Sequence, residues 1–132
     1  MLVDTKNTIR MEKNMYLEIK YKDGIIRRKY QDGYKAWYKN GQLYRDNDLP
    51  AIIEANGTKY WYKNGKQHRD NDLPAVIYAN GDKHWYKNDK LHRDNDLPAV
   101  THANGTKAWY KNGQRHRNND LPAVIYANGD KY

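Results

Sequence analysis

The chain has no cysteine, which excludes disulfides, a thiolate nucleophile and any metal site built on sulfur. It has no phenylalanine either, and Leu, Ile and Val together supply only 20 of its 132 residues. That is too little aliphatic volume for a thick spherical core. No apolar run approaches the roughly 20 residues of a membrane helix, and the opening stretch MLVDTKNTIRMEKN lacks the apolar centre of a signal peptide. No segment repeats its apolar residues at helical spacing; the alternating runs are short and end in turn-forming residues. These absences lead us to expect an all-β, cytoplasmic protein with no membrane insertion and no bound cofactor.

What is present is aromatic and periodic. There are 4 tryptophans and 13 tyrosines, and Trp37, Trp61, Trp85 and Trp109 stand 24 residues apart without insertion. The stretch from Lys59 to Asp82, KYWYKNGKQHRDNDLPAVIYANGD, recurs over 35–58, 83–106 and 107–130. A fixed period of this length marks a repeat architecture in which each unit buries its apolar side against its neighbours. Before the repeats, residues 1–14 read as a polar, flexible tail and residues 15–34 as a capping hairpin turned by Asp23-Gly24. The chain stops inside what would be a fifth unit, so its C-terminal end is truncated relative to the repeat. Its last strand is expected to leave an edge open to self-association.

The 59–82 unit carries two Asn-Gly pairs, the strongest short hairpin signal, and the other units match it except that the third has Asn88-Asp89 at the first turn. Taken as two-residue turns, both set a register. Trp61 falls opposite His68, and Tyr62 opposite Gln67. In the second hairpin Tyr78 falls opposite Lys83, Ile77 opposite His84, and Val76 opposite Trp85. This places Trp and Val on one face and Ile77, His84 and Tyr86 on the other. The Asp-Asn-Asp stretches turn the chain, and Pro74 and its equivalents restart a strand.

The string Trp61-Tyr62-Lys63-Asn64-Gly65, repeated with short hairpins over about Tyr34 to Tyr132, resembles the MORN-repeat family. It is closest to the variant repeats of bacterial, phage and giant-virus proteins in which WYxNGxxHR alternates with PAVxYxNG. The resemblance implies an elongated antiparallel meander of tandem hairpins, largely a single-layer sheet, with a scaffold or protein-binding role. MORN arrays are also linked to membrane lipids. The chain departs from standard units in having fewer glycines and an added Asp-Leu-Pro-Ala, as in Asp72 to Ala75.

Four constellations bear on chemistry. His68, His92 and His116 share one repeat position, but an evenly spaced ladder does not converge on a point as a metal site must. Asp46-Asn47-Asp48 and its copies offer oxygens for a hard cation, yet the fourth copy is Asn118-Asn119-Asp120, and no EF-hand Gly or Glu completes the loop. Turn formation, with a salt bridge from Arg45, Arg69, Arg93 or Arg117 to the second Asp, accounts for them equally well. Every candidate acid and base is periodic, whereas an active site is a single asymmetric pocket; no catalytic, cofactor or metal residue is assigned, and the chain is expected not to be an enzyme. Lys59, Trp61 and Lys63, like Lys83, Trp85 and Lys87, lie on one face of a strand. Such cation-flanked aromatics stack bases in single-strand binders, although lysine stems also cover buried tryptophan.

The expected function is a protein–protein interaction scaffold or binder. Its contacts would lie where the copies differ, at Glu54, Tyr78, His102 and Tyr126, with Lys59, Lys63, Lys83 and Lys87 beside them. The alternative, suggested by the net charge of +8, is a nucleic-acid or ribonucleoprotein binder, such as a phage- or mobile-element-borne inhibitor of a host defence nuclease.

Overall fold

The computed structural model describes residues 3–10 by their backbone and residues 16–132 in full. It contains strands and turns and, among the described residues, no helix. The first strands are long: β1 (Val3–Arg10), β2 (Tyr16–Tyr21), β3 (Ile25–Tyr30) and β4 (Lys35–Lys39). From there on each strand has only two residues. In chain order these are β5 (Gln42–Leu43), β6 (Ile52–Ile53), β7 (Lys59–Tyr60), β8 (Tyr62–Lys63), β9 (Lys66–Gln67) and β10 (Val76–Ile77). The same pattern continues through β11 (Lys83–His84), β12 (Tyr86–Lys87), β13 (Lys90–Leu91) and β14 (Val100–Thr101). It closes with β15 (Lys107–Ala108), β16 (Tyr110–Lys111), β17 (Gln114–Arg115) and β18 (Val124–Ile125).

One antiparallel meander runs through the molecule in the order β1-β2-β3-β4-β6-β7-β10-β11-β14-β15-β18. From it branch small hairpins, β8-β9, β12-β13 and β16-β17, with β5 paired to the far half of β4. The branch point in each unit is the tryptophan. Trp61 N–H donates to Ala75 O across the main sheet at 2.8 Å, while its own carbonyl accepts from His68 N–H in the branch hairpin at 3.2 Å.

The stretch 1–14, expected as a tail, contains β1, which pairs with β2 from Arg10↔Tyr16 to Val3↔Tyr21 with a bulge between Val3 and Asn7. Residues 1, 2 and 11–15 lie outside the described residues. The correction has a simple cause: an open strand edge presents a row of N–H and C=O groups, and a strand can satisfy them without an apolar pattern of its own.

The two Asn-Gly pairs form different turns. Asn64 (φ 52) and Gly65 (φ 74) are both left-handed, the signature of a two-residue I′ turn, and Tyr62↔Gln67 follows as expected. Around Asn80-Gly81 the register is Val76↔His84 and Ile77↔Lys83, one residue away from the expectation. Tyr78 N–H donates to Asp82 O at 2.9 Å and Gly81 N–H to Tyr78 O at 3.0 Å, which closes a three-residue loop. Only Gly81 is left-handed there, at φ +96, so this is a type I turn ending in a glycine bulge. Asn80 keeps a right-handed φ because its Oδ1 accepts from Asp82 N–H at 2.9 Å.

Because side chains alternate, a one-residue shift exchanges the faces. Val76 stands beside Tyr60 and His84, and not beside Trp85. Trp61 and Trp85 flank Ala75 on the opposite face, with half-buried Ile77. Both faces are covered along this central line: Ala75 and Val76 are each at most 1% exposed.

Candidate interaction surface

The tryptophan face is built from a node that repeats once per unit. Arg69 lies flat on Trp61, its guanidinium carbon 3.9 Å from the ring centre. Its Nε and Nη2 donate to the two carboxylate oxygens of Asp48 at 2.9 and 3.0 Å, and its Nη1 to Pro74 O at 3.2 Å. The same Asp48 accepts the Trp61 indole N–H through its main-chain carbonyl at 2.9 Å. One aspartate of the preceding unit thus supplies both a carboxylate and a carbonyl. Arg93 with Asp72 and Trp85, and Arg117 with Asp96 and Trp109, repeat the arrangement. The second Asp of the first three turns does hold an arginine, but that of the next unit, so Arg45 has no aspartate among the described residues.

The branch hairpins are tied in the same forward direction. His68 Nδ1 accepts from Asn88 N–H at 3.3 Å, so the ring proton sits on Nε2 and is donated to Asp70 at 2.9 Å. His92 does the same with Asn112 and Asp94. At this position the first unit has Tyr44, whose hydroxyl bonds Asp46. The His68 and His92 bonds, and the Lys63 ammonium 2.9 Å from Asp70, hold Asp70 and Asp94 below the usual carboxylate range. The bond from Lys63 acts most on Asp70, and that from His92 on Asp94. Among the described residues no three His, Asp or Glu side chains converge as metal ligands would.

The opposite face carries tyrosines in half-buried contact. Tyr78 meets the edge of His84 at 4.9 Å and of Tyr60 at 6.4 Å. Burial first, then neighbouring phenols and Glu54, push Tyr34 up to about 12. Tyr60 is raised by burial and by donating its hydroxyl to Glu54 at 2.9 Å.

The residues singled out from the sequence separate into two groups. Glu54, Tyr78, His102 and Tyr126 do form one row on the tyrosine face, but all four are engaged within the chain. Glu54 holds Tyr60, Tyr78 packs on His84, and His102 Nδ1 lies 2.9 Å from Asp82. Tyr126 is exposed. Lys59, Lys83 and Lys87 are exposed and form no ion pair among the described residues, whereas Lys63 is held by Asp70. The tryptophans between them offer no ring for base stacking: all four are 5–8% exposed, and each has an arginine on its face.

A second row stands out that the sequence reading passed over. Leu49, Leu73, Leu97 and Leu121 are 37–43% exposed and occupy the same loop position in successive units. In each loop an Asn and the Asp before the Leu adopt left-handed φ, as at Asn71 (62) and Asp72 (54). With two main-sheet strands per unit, successive leucines lie about 10 Å apart along the array. Open grooves lie between the loops, the first lined in part by Leu49, Trp61, His68 and Arg69, and the next by Leu73, Trp85, His92 and Arg93. An apolar residue repeated inside Asp-Asn-Asp-Leu-Pro was the available signal, since turns are otherwise polar.

No helix among the described residues is long and apolar enough to cross a membrane. No family model, curated protein or solved structure matches the chain.

Proposed function

We propose that the chain is a non-enzymatic interaction module, a MORN-like hairpin array, that binds another protein along its loop edge. The observation that carries this reading is the row Leu49, Leu73, Leu97 and Leu121. Four large apolar side chains are exposed at equivalent places, on loops that accept two strained left-handed residues per unit. Exposed apolar patches rimmed by polar groups mark protein-binding surfaces. The grooves between the leucines, walled by arginine and histidine, suit an extended segment of a partner.

The test places a photo-crosslinking amino acid at position 73 and, as a control, at position 66 of the branch hairpin. Crosslinking from position 73 to a single host protein, competed by unmodified chain and lost in a Leu49→Asp, Leu97→Asp variant, is the expected result. That variant should melt within about 0.5 kcal/mol of the parent, since the positions are exposed. Crosslinking only to RNA, or equal protein capture by the variant, would overturn the reading.

A further inference from the structure

The arginine–tryptophan ladder has four arginines but only three aspartates. Arg45 is held in the pose of the other three: its guanidinium carbon is 3.8 Å from the centre of Trp37, and its Nη1 donates to Pro50 O at 3.2 Å. In its sisters Nε and Nη2 grip a carboxylate at 2.9–3.2 Å. In Arg45 the Nε is buried and, among the described residues, has no hydrogen-bond partner. The indole N–H of Trp37 likewise makes no bond among the described residues, while those of Trp61, Trp85 and Trp109 each hold an aspartate carbonyl.

The capping strand β3 aggravates the deficit. It sets Arg27 directly opposite Trp37, and the Arg27 Nε is also buried without a partner among the described residues. Arg28, one residue on and facing the other way, has its carboxylate: buried Glu18 lies 3.1 Å from its Nε. The cap therefore pairs the arginine on the tyrosine face and leaves two unpaired on the tryptophan face. Burial holds the Arg45 guanidinium below its ordinary value; Tyr21 opposes this and Arg27 adds to it. Buried donors without acceptors are costly, and a charge-assisted fork to a carboxylate is the strongest remedy open to arginine.

We propose that Arg45, Arg27 and Trp37 form a docking point for an aspartate residue of a protein partner. The partner would present its carboxylate to the terminal nitrogens of the two arginines, since both Nε atoms are buried, and its main-chain carbonyl to the indole. The class of ligand follows from the repeat itself. In the three interior nodes one aspartate supplies both groups, so the donors at Arg45 and Trp37 match a peptide residue better than a free anion. This deepens the protein-binding reading and rests on it, but it concerns the capped end of the array and not the leucine edge.

The test follows the Nε–Hε signals of Arg27, Arg45, Arg69, Arg93 and Arg117 and the indole signals in ¹⁵N-labelled full-length chain. Three probes are titrated at fixed ionic strength: N-acetyl-aspartate N-methylamide, its asparagine analogue and inorganic phosphate. The expected result is saturable movement of Arg45, Arg27 and Trp37 with the aspartyl probe alone, while the three chelated arginines stay in place. Arg27→Gln should weaken this binding about tenfold, as for the loss of one charge-assisted bond. Arg45→Lys, which keeps the charge and loses the fork, should abolish the movement of Trp37. The proposal fails if Arg45 shows no saturable shift, if phosphate or asparagine moves it equally, or if all five arginines move together. Partner crosslinking from position 73 that persists in Arg45→Lys would locate a failure here and leave the leucine reading standing.

Discussion

The capped end and the repeat array hold the same sheet together by different means. Between residues 16 and 39 the strands are five or six residues long, paired in continuous ladders, with Ile25 and Ala36 fully buried. In the array each strand has two residues, and a ladder that short is weak by itself. The array replaces ladder length with side chains that reach into the next unit: Asp to Arg and Trp, His to the next turn's N–H, Thr58 Oγ1 to Ala79 N–H at 3.1 Å. A repeat protein can therefore be strand-poor and still cooperative, because its nearest-neighbour terms lie in the loops.

The largest effect expected is at the node. Trp85→Ala removes a buried aromatic, the platform for Arg93 and the anchor of the Asp72 loop; it should cost about 3–5 kcal/mol, read from urea melts. Ile25→Ala in the cap removes comparable burial and should cost about 2–5 kcal/mol. The comparison lies in where the loss appears. Amide exchange should accelerate on both sides of Trp85, in the 59–82 and 83–106 units, but Ile25→Ala should loosen β2, β3 and β4 alone. Equal, molecule-wide acceleration in both variants would mean that the two regions form one cooperative unit.

Next comes the ion pair within the node. Arg93→Lys loses the fork to Asp72, the bond to Pro98 O and the flat stacking on Trp85, for a cost of about 1–2 kcal/mol. Asp72 is half exposed, so Asp72→Asn should cost less, about 0.5–1 kcal/mol. A double variant no worse than Arg93→Lys would show that the two side chains act through one another. Arg45→Lys, which has no carboxylate to lose, should be milder than Arg93→Lys.

Much of this architecture is legible in the sequence. The period and the branch hairpin register Trp61–His68 follow from spacing and turn chemistry, and so does an arginine–aspartate pair, though not that Arg69, Arg93 and Arg117 each take the aspartate of the preceding unit. The second hairpin was misread because Asn-Gly is compatible with two turns. What separates them is the residue after the glycine. Asp82 is capped by Asn80 and in turn accepts Ala103 N–H at 2.7 Å, as Thr58 accepts from Ala79, so the loop is chosen by contacts to the next unit. Side-chain reach between units is invisible to a reading that pairs strands only within a hairpin. For the same reason Glu54 and His102 looked free, although each is held by a residue of a neighbouring unit, Tyr60 and Asp82.

His84 offers a smaller test of the tyrosine face, where the array departs from its own pattern. Burial, and secondarily His102, lower its pKa, with Asp82 opposing; its Nδ1 is buried without a partner among the described residues. The folded chain thus favours neutral His84, while the unfolded chain takes up a proton near its ordinary value of 6.5. The His84 contribution to stability is complete above that pH and is lost as pH falls from there through the lowered folded value. Melting temperatures measured from pH 8 down to 5 should drop less steeply in His84→Tyr, which copies Tyr60. An unchanged slope would place the titration elsewhere.

The smallest net effect is expected at Asp89, which stands where the other units have the glycine of the I′ turn. It takes a left-handed φ of 68, normally unfavourable for a side chain, yet its carboxylate accepts Gln67 N–H at 2.6 Å and its own N–H donates to Gln67 O at 2.9 Å. Asp89→Gly relieves the backbone and loses the carboxylate bond, two terms of about 1 kcal/mol each and of opposite sign. It should therefore leave the melting temperature nearly unchanged. Asp89→Ala keeps the backbone strain and loses the bond, so it should cost about 1–2 kcal/mol. The gap between the two variants measures the strain alone. If Ala and Gly behave alike, the left-handed turn carries no penalty at this site, and the carboxylate bond to the neighbouring hairpin is by itself what permits a unit to dispense with its glycine.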